Sequence, residues 1–256
     1  MTDDDPRSIR AVDNAFAVVE ALKGREEAGV SELARELDRS KSTVHRHLKA
    51  LERHEFVIER DGRYRLGLRW LDVGGAVRKR HRLYKTGKAD ADELAAKTGE
   101  LVAVTTYEYG RSVYLYQVKG RKALTTDSHL GVRFPLHCTA AGKSMLAHFP
   151  ADRVREVVET SGLPAETANT ITDPDELFEE LRRIRDRGVA LDDEERLEGT
   201  RGIGAPILRK DTGEVLGAVA ICGPPTRLQG DRFREELPQL VRETANVIEV
   251  NSTFSE

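Results

Sequence analysis

Residues 30–66, VSELARELDRSKSTVHRHLKALERHEFVIERDGRYRL, hold two short helical patterns, a tight turn and an alternating hairpin in that order. The first helix turns Leu33, Ala34 and Leu37 to one side. After a turn at Asp38 and Arg39, a second helix starts at Ser40, whose hydroxyl can cap it. At 100° per residue, Val44, Leu48 and Leu51 form one apolar seam, which leaves Ser42, His45, Arg46, Lys49 and Arg53 on the opposite side. Phe56 to Arg60 and Arg63 to Leu66 alternate as strands around Asp61-Gly62, a dipeptide suited to a two-residue hairpin turn. The sum is a winged helix-turn-helix. Such a second helix fits the major groove, its first turns toward base edges and its basic residues toward phosphates. The expected DNA-contacting residues are therefore Ser40, Lys41, Ser42, Thr43, His45, Arg46 and Lys49 on the helix, with Arg63 and Arg65 on the wing. Ser42, Thr43 and His45 are placed to read bases, and the basic residues to supply salt-sensitive affinity. The competing reading is a packing module whose charged face only keeps it soluble.

Outward from this stretch, 256 residues with 39% hydrophobic content suffice for two packed domains. The net charge of -3 is unevenly divided: residues 1–86 hold 19 basic against 15 acidic side chains, and the remainder 22 against 29. A basic head on an acidic body suits a partner such as double-stranded DNA. The two cysteines, Cys138 and Cys222, are lone and distant, which argues against a disulfide framework or a zinc finger. No apolar run reaches membrane-spanning length and no signal peptide precedes Arg7, so a cytoplasmic protein with no membrane partner is expected. Arginine outnumbers lysine 30 to 11, consistent with either a biased genome or a saline habitat.

Met1 to Pro6 reads as an acidic leader, and Asn14 to Leu22 as a helix with Ala15, Val18, Val19 and Leu22 on one face. From Gly67 to about Lys97 the pattern is helical but interrupted, with Leu68, Leu71, Val73 and Val77 apolar beside Trp70, then Gly74-Gly75, then the basic run Arg78 to Arg82. Those apolar positions either pair with a second copy or pack on the head, and the basic run either touches phosphates or is solvated. Beyond Gly99, strands are expected at Val102 to Tyr107, Ser112 to Val118 and Ala123 to Thr126. Helices follow near Ala140 to His148, Ala151 to Thr160 and Asp173 to Arg187. Strands then resume at Val189 to Leu191, Ile203 to Leu208 and Val215 to Ile221, before a closing helix from Asp231 to Val250. The fold class is α+β with a central antiparallel sheet.

Three motifs then carry a resemblance: Tyr64-Arg65-Leu66-Gly67; Pro135-Leu136-His137-Cys138-Thr139-Ala140-Ala141-Gly142-Lys143; and Asp192-Asp193-Glu194-Glu195 followed by Gly199, Ala205-Pro206 and Gly223-Pro224. In this order and spacing the chain resembles the IclR family of transcriptional regulators over residues 8–253. The resemblance implies a winged helix-turn-helix at 8–68, a linker helix used in dimerisation at 69–98, and a GAF-like effector-binding domain at 99–253. It implies a regulator of a carbon-catabolic pathway that binds an operator as a homodimer, or as a tetramer, and senses an organic acid or a sugar-derived metabolite. No cofactor, metal or enzymatic activity is implied. The effector residues it carries over are the backbone of Ala140 and Ala141, Asp192 as an acceptor, and Gly202, Ala220 and Cys222 in the wall; His137 joins the expected effector set on its own chemistry, as a side chain that can hold an acidic effector. Relatives that bind small keto acids carry a cysteine at the position of Gly202 and serines at those of Ala220 and Cys222, so a roomier, less polar pocket is expected here.

The loop entering the helix near Ala140 suits an anion such as a carboxylate. Other chemistries stand beside this reading. His137, Cys138 and Asp192 are suitable metal ligands without diagnostic spacing. His137 beside Cys138 is the one hint of thiol chemistry, although a loop histidine is more often satisfied by the backbone. Asp192, Glu194 and Glu195 suit either acid/base work or pairing with Arg133 or Arg201.

Overall fold

The computed structural model describes residues 9–126 and 128–254, so the acidic leader at 1–6 lies outside the described residues. The chain divides into two compact units with the boundary between Val77 and Arg78.

The first unit contains α1 (Arg10–Lys23), β1 (Ala28–Gly29), α2 (Val30–Glu36), α3 (Lys41–Arg53), β2 (Val57–Arg60), β3 (Arg63–Leu66) and most of α4 (Arg69–Arg80). Its core is the set that helical and strand periodicity select: Val18 and Leu22 of α1, Leu33 of α2, Val44 and Leu48 of α3, Val57 of β2 and Tyr64 of β3. Ser40 caps α3, its Oγ accepting the backbone N–H of Thr43 at 3.2 Å. At the wing tip, Asp61 and Gly62 have φ of 53° and 78°, the left-handed pair that a two-residue hairpin turn requires. The wing has a third strand that the sequence pattern does not reveal, because β1 is two residues long and pairs antiparallel with β3. Helix α1 starts earlier than expected, at Arg10. Helix α4 runs through Gly74-Gly75 and stops at His81, so the basic run and not the glycine pair marks the interruption.

The second unit contains α5 (Arg82–Thr98), β4 (Leu101–Glu108), β5 (Arg111–Lys119), β6 (Arg133–Pro135), α6 (Ala140–Leu146), α7 (Ala151–Ser161), α8 (Pro174–Arg187), β7 (Ala190–Asp193), β8 (Arg201–Leu208), β9 (Val215–Gly223), a π-helical turn at Arg232–Glu236 and α9 (Leu237–Phe254). Six strands form one antiparallel sheet in the order β6-β5-β4-β9-β8-β7. The strand expected at Ala123 to Thr126 does not form. The neighbour of β5 is instead β6, where Phe134 pairs with Ser112 and packs edge-on against Tyr114. The closing helix of the sequence reading divides into the π-helical turn and α9.

The two faces of the sheet differ in side-chain size because strand residues alternate. On one face Ile203, Ala205 and Ile207 of β8 and Val219 and Ile221 of β9 pack with α5 and α9. The other face of the same strands shows Gly202 and Gly204, then Ala218 and Ala220, and meets α6 and α8. No helix among the described residues is long and apolar enough to cross a membrane.

Candidate functional site

Two places gather the expected residues. On α3, buried Val44 and Leu48 fix the orientation of the helix, so Lys41, Ser42, His45, Arg46, Lys49 and Arg53 are exposed, with Thr43 half-buried. Ser40 is occupied by capping and also lies within hydrogen-bond distance of the Ser42 and Thr43 hydroxyls. Lys49 pairs with Glu52 at 2.7 Å and sits over the Tyr64 ring. On the wing, Arg63 is ion-paired with Glu27 at 2.5 Å and Glu32 at 3.3 Å, whereas Arg65 is exposed. Arg65 and Arg46 therefore offer charge outward, and Arg63 is committed to its own unit.

The second place is a cavity in the other unit, and small residues build it. A Cβ at Gly204 would fall 2.6 Å from the Ala140 carbonyl, and one at Gly142 would fall 2.2 Å from the Leu136 oxygen. Gly204 lets the start of α6 press onto β8, and Gly142 lets the segment at Leu136 fold against the first turn of α6. Thr139 caps that start, its Oγ1 accepting the N–H of Gly142 at 3.0 Å. The cavity wall includes Ala140, Ala141, Asp192, Ala220 and Cys222 from the expected set, joined by Tyr114, Thr139, Arg196 and Thr200.

Gly202 and His137 do not line it. Gly202 lies behind Ala140 and Asp192, where a Cβ would be 3.2 Å and 3.3 Å from theirs. The enclosed volume is about 20 Å³, room for little more than one water. Ala140 and Asp192 pack against the glycine, so the space beside Gly202 is not part of this cavity. His137 instead places Nε2 3.0 Å from the Pro164 carbonyl, and burial lowers its pKa. Thr126, at the end of the segment misread as a strand, and Ser128 just beyond it also line the cavity and pair with each other.

The electrostatics centre on the 192–195 turn. Asp192 is 7% exposed. Its Oδ1 accepts the Glu195 N–H at 2.8 Å, and burial, followed by the neighbouring Glu195 charge, pushes its carboxyl up to about 7. Lys143 of α6, only 1% exposed, is ion-paired with Glu195, whose pKa burial raises. Arg201 pairs with Asp193 at 2.5 Å and not with the three carboxylates expected to take it, and Arg133 donates to the Glu108 carbonyl. Both thiols are pushed up to about 12, first by burial and then by Asp192, which removes the thiolate that sulfur chemistry requires. Among the described residues no three His, Cys, Asp or Glu side chains gather to hold a metal.

Comparison with known proteins follows the same division. The profile described as "IclR helix-turn-helix domain" matches residues 11–61, and that described as "Bacterial transcriptional regulator IclR C-terminal" matches residues 75–250. The chain is 39% identical over 251 residues to a probable HTH-type transcriptional regulator ArcR of Halobacterium salinarum, covering 96% of this chain and 95% of that one. It is 31% identical to the HTH-type transcriptional repressor AllR of Klebsiella pneumoniae, covering 94% and 89%. Among solved structures, the IclR of Thermotoga maritima superposes with a TM-score of 0.78 at 29% identity, covering 96% and 100%. An IclR homolog from Microbacterium hydrocarbonoxydans, solved with 4-hydroxybenzoate, superposes with a TM-score of 0.80 at 23% identity, covering 96% and 100%.

Proposed function

Because the chain belongs to the IclR family of transcriptional regulators, whose members are DNA-binding regulators and not enzymes, we propose that it controls a carbon-catabolic pathway by binding an operator as a dimer and sensing a small organic acid. The observation that carries this reading is the joint presence, in one chain, of a donor-lined capped helix beside an arginine-bearing wing and of a buried cavity walled by Ala140, Ala141, Asp192, Ala220 and Cys222. In this reading Lys41, Ser42, Thr43, His45 and Arg46 face the major groove, and Arg65 takes a phosphate. Ser40 contributes by holding the start of the helix. Lys49 and Arg63 contribute only after exchanging their carboxylate partners for phosphate.

The dimer reading is supported by α4, which buries none of its residues in this chain. Arg69 and Trp70 turn back onto the head, Arg69 pairing with Glu55 and Trp70 packing on Phe56 and donating Nε1–H to its carbonyl at 3.0 Å, while Leu71, Val73 and Val77 remain exposed. Two heads held by such a seam can meet half-sites one DNA turn apart. Coupling to DNA arises if a ligand prefers one arrangement of the two heads over another. A DNA-bound role supports a cytoplasmic location.

The test is fluorescence-anisotropy binding to the gene's own upstream DNA and to a scrambled duplex across salt, with pyruvate, glyoxylate, gluconate, benzoate and 4-hydroxybenzoate added in turn. Specific, salt-dependent binding that one acid alters is expected. Equal weak binding to both duplexes overturns the operator assignment, and specific binding indifferent to every acid overturns the sensing of organic acids.

A further inference from the structure

Beside β7, the last strand of the sheet, lies a second cavity that shares no lining residue with the first. Side chains alternate along a strand, so Asp192 serves the first cavity while Leu191 and Asp193 serve the second. Its volume is about 610 Å³, the size of a small-molecule site. Most of the charge lining it is already paired: Arg201 holds Asp193 at 2.5 Å, Arg183 lies 3.7 Å from Glu180, and Lys143 is bound to Glu195. Three groups are left over. Glu195 is 7% exposed, and its Oε2 is buried with no hydrogen-bond partner among the described residues. Glu176 and Arg234 are exposed, and neither side chain is hydrogen-bonded to or ion-paired with a described residue. A carboxylate oxygen left unpaired in a dry place costs free energy that a donor returns. Lys143 offsets the Glu195 charge, but Glu180 and Asp192 add two more negative charges near it, so a cationic donor fits better than a neutral hydroxyl. Arg234, uncommitted, fits an anion.

We propose that this second cavity binds a free amino acid, its ammonium group donating to Glu195 Oε2 and its carboxylate pairing with Arg234. Neither an acid without an amine nor an amine without a carboxylate satisfies both ends. A ligand with no net charge also matches the lining, in which Glu176, Glu180, Asp193 and Glu195 stand against Lys143, Arg183, Arg201 and Arg234. The two ends contribute unequally. The Glu195 oxygen is buried, so losing the ammonium forfeits a charge-assisted hydrogen bond in a dry site, whereas the exposed Arg234 pair is screened by water. The site is separate from the organic-acid reading of the first cavity and stands or falls without it.

Calorimetric titration of the full-length chain at neutral pH with L-alanine and L-leucine tests this, beside analogues that each lack one charged group: propionate and ethylamine for alanine, 4-methylpentanoate and 3-methylbutylamine for leucine. Saturable binding of at least one amino acid is expected. Its matched acid, titrated as a competitor so that uptake in the first cavity does not count, should displace it only at concentrations about tenfold higher or more. Its matched amine should bind about two- to fivefold more weakly than the amino acid. Arg234→Gln, at an exposed and unpaired position, should lose the same two- to fivefold for the amino acid and leave the affinity of the amine unchanged. The analogues are read on the unmodified protein, so the proposal is decided even if the variant folds poorly. No binding of either amino acid overturns the site. An acid that competes as well as its amino acid overturns the role of Glu195, and an undiminished amino-acid affinity in Arg234→Gln overturns the pairing assigned to Arg234.

Discussion

Lys143 shows how a single side chain can be hidden by its own context. In Ala140-Ala141-Gly142-Lys143-Ser144-Met145-Leu146 a lone lysine among small and apolar residues reads as the solvated edge of a helix, yet its side chain is 1% exposed and ion-paired with Glu195. Burying two charges costs more than a surface pair returns, so the pair contributes little by itself, but breaking it strands one charge in a dry place. Lys143→Met should therefore lower stability by about 3–5 kcal/mol, whereas Lys143→Met with Glu195→Met should recover most of that loss. Urea unfolding at pH 7 measures both, and a single variant as stable as the parent would mean Glu195 finds another partner or takes a proton at no cost. Arg196 escaped notice for a related reason. It follows the acidic run Asp192-Asp193-Glu194-Glu195, which draws attention to the carboxylates, and the fold lays it over the Phe134 ring in the cavity wall.

At the scale of elements, legibility followed locality. Helix α3, its Ser40 cap and the Asp61-Gly62 turn were readable because each depends on residues within a few positions of one another. The pairing of β1 with β3, and the replacement of 123–126 by β6 as the neighbour of β5, were not. A two-residue strand has no period to detect, and β-branched residues at Thr125 and Thr126 report propensity without naming a partner. Five of the seven expected effector residues line the cavity; Gly202, carried by the same resemblance as those five, lies behind Ala140 and Asp192, and His137, read from its own chemistry, turns to the Pro164 carbonyl, because position along the chain does not convey the direction of a side chain. Two predictions belong here. Gly204→Val would drive a side chain into the Ala140 carbonyl, 2.6 Å from where its Cβ must stand. Lifting α6 off β8 should cost about 1–3 kcal/mol or more, read as a lowered Tm, and an unchanged Tm would show that α6 can move freely. On the wing, Arg65→Ala should weaken binding to all duplexes alike and reduce the salt slope by about one. Arg63→Ala should do so much less, because Glu27 and Glu32 hold its guanidinium. Equal losses from the two would mean that phosphate displaces those carboxylates.

For the molecule as a whole, the unanswered physical demand is the apolar surface that the first unit leaves uncovered. Leu71 is 71% exposed and Val77 63%, and Leu68 and Val73 are exposed beside them; α1 likewise exposes Val12 and Phe16. Scattered exposed hydrophobes are ordinary, but a helix of twelve residues with none buried, carrying a run of apolar ones, has no reason to be stable unless something covers it. In the dimer proposed above a second copy covers it in a way that also serves DNA reading, since two linked heads convert the second half-site contact into an intramolecular event. Leu71→Glu with Val77→Glu places like charges on both sides of such a seam without touching the buried cores of either unit. The variant should sediment as a monomer at micromolar concentration where the parent sediments as a dimer or larger. Its affinity for a two-half-site operator should fall by roughly 10²–10⁴-fold, while its weaker affinity for a single half-site stays within a few-fold of the parent's. A variant that remains dimeric would move the interface elsewhere on the chain. One that becomes monomeric yet binds the full operator undiminished would show that each head reads DNA alone, and a ligand in the second unit would then have no dimer through which to act.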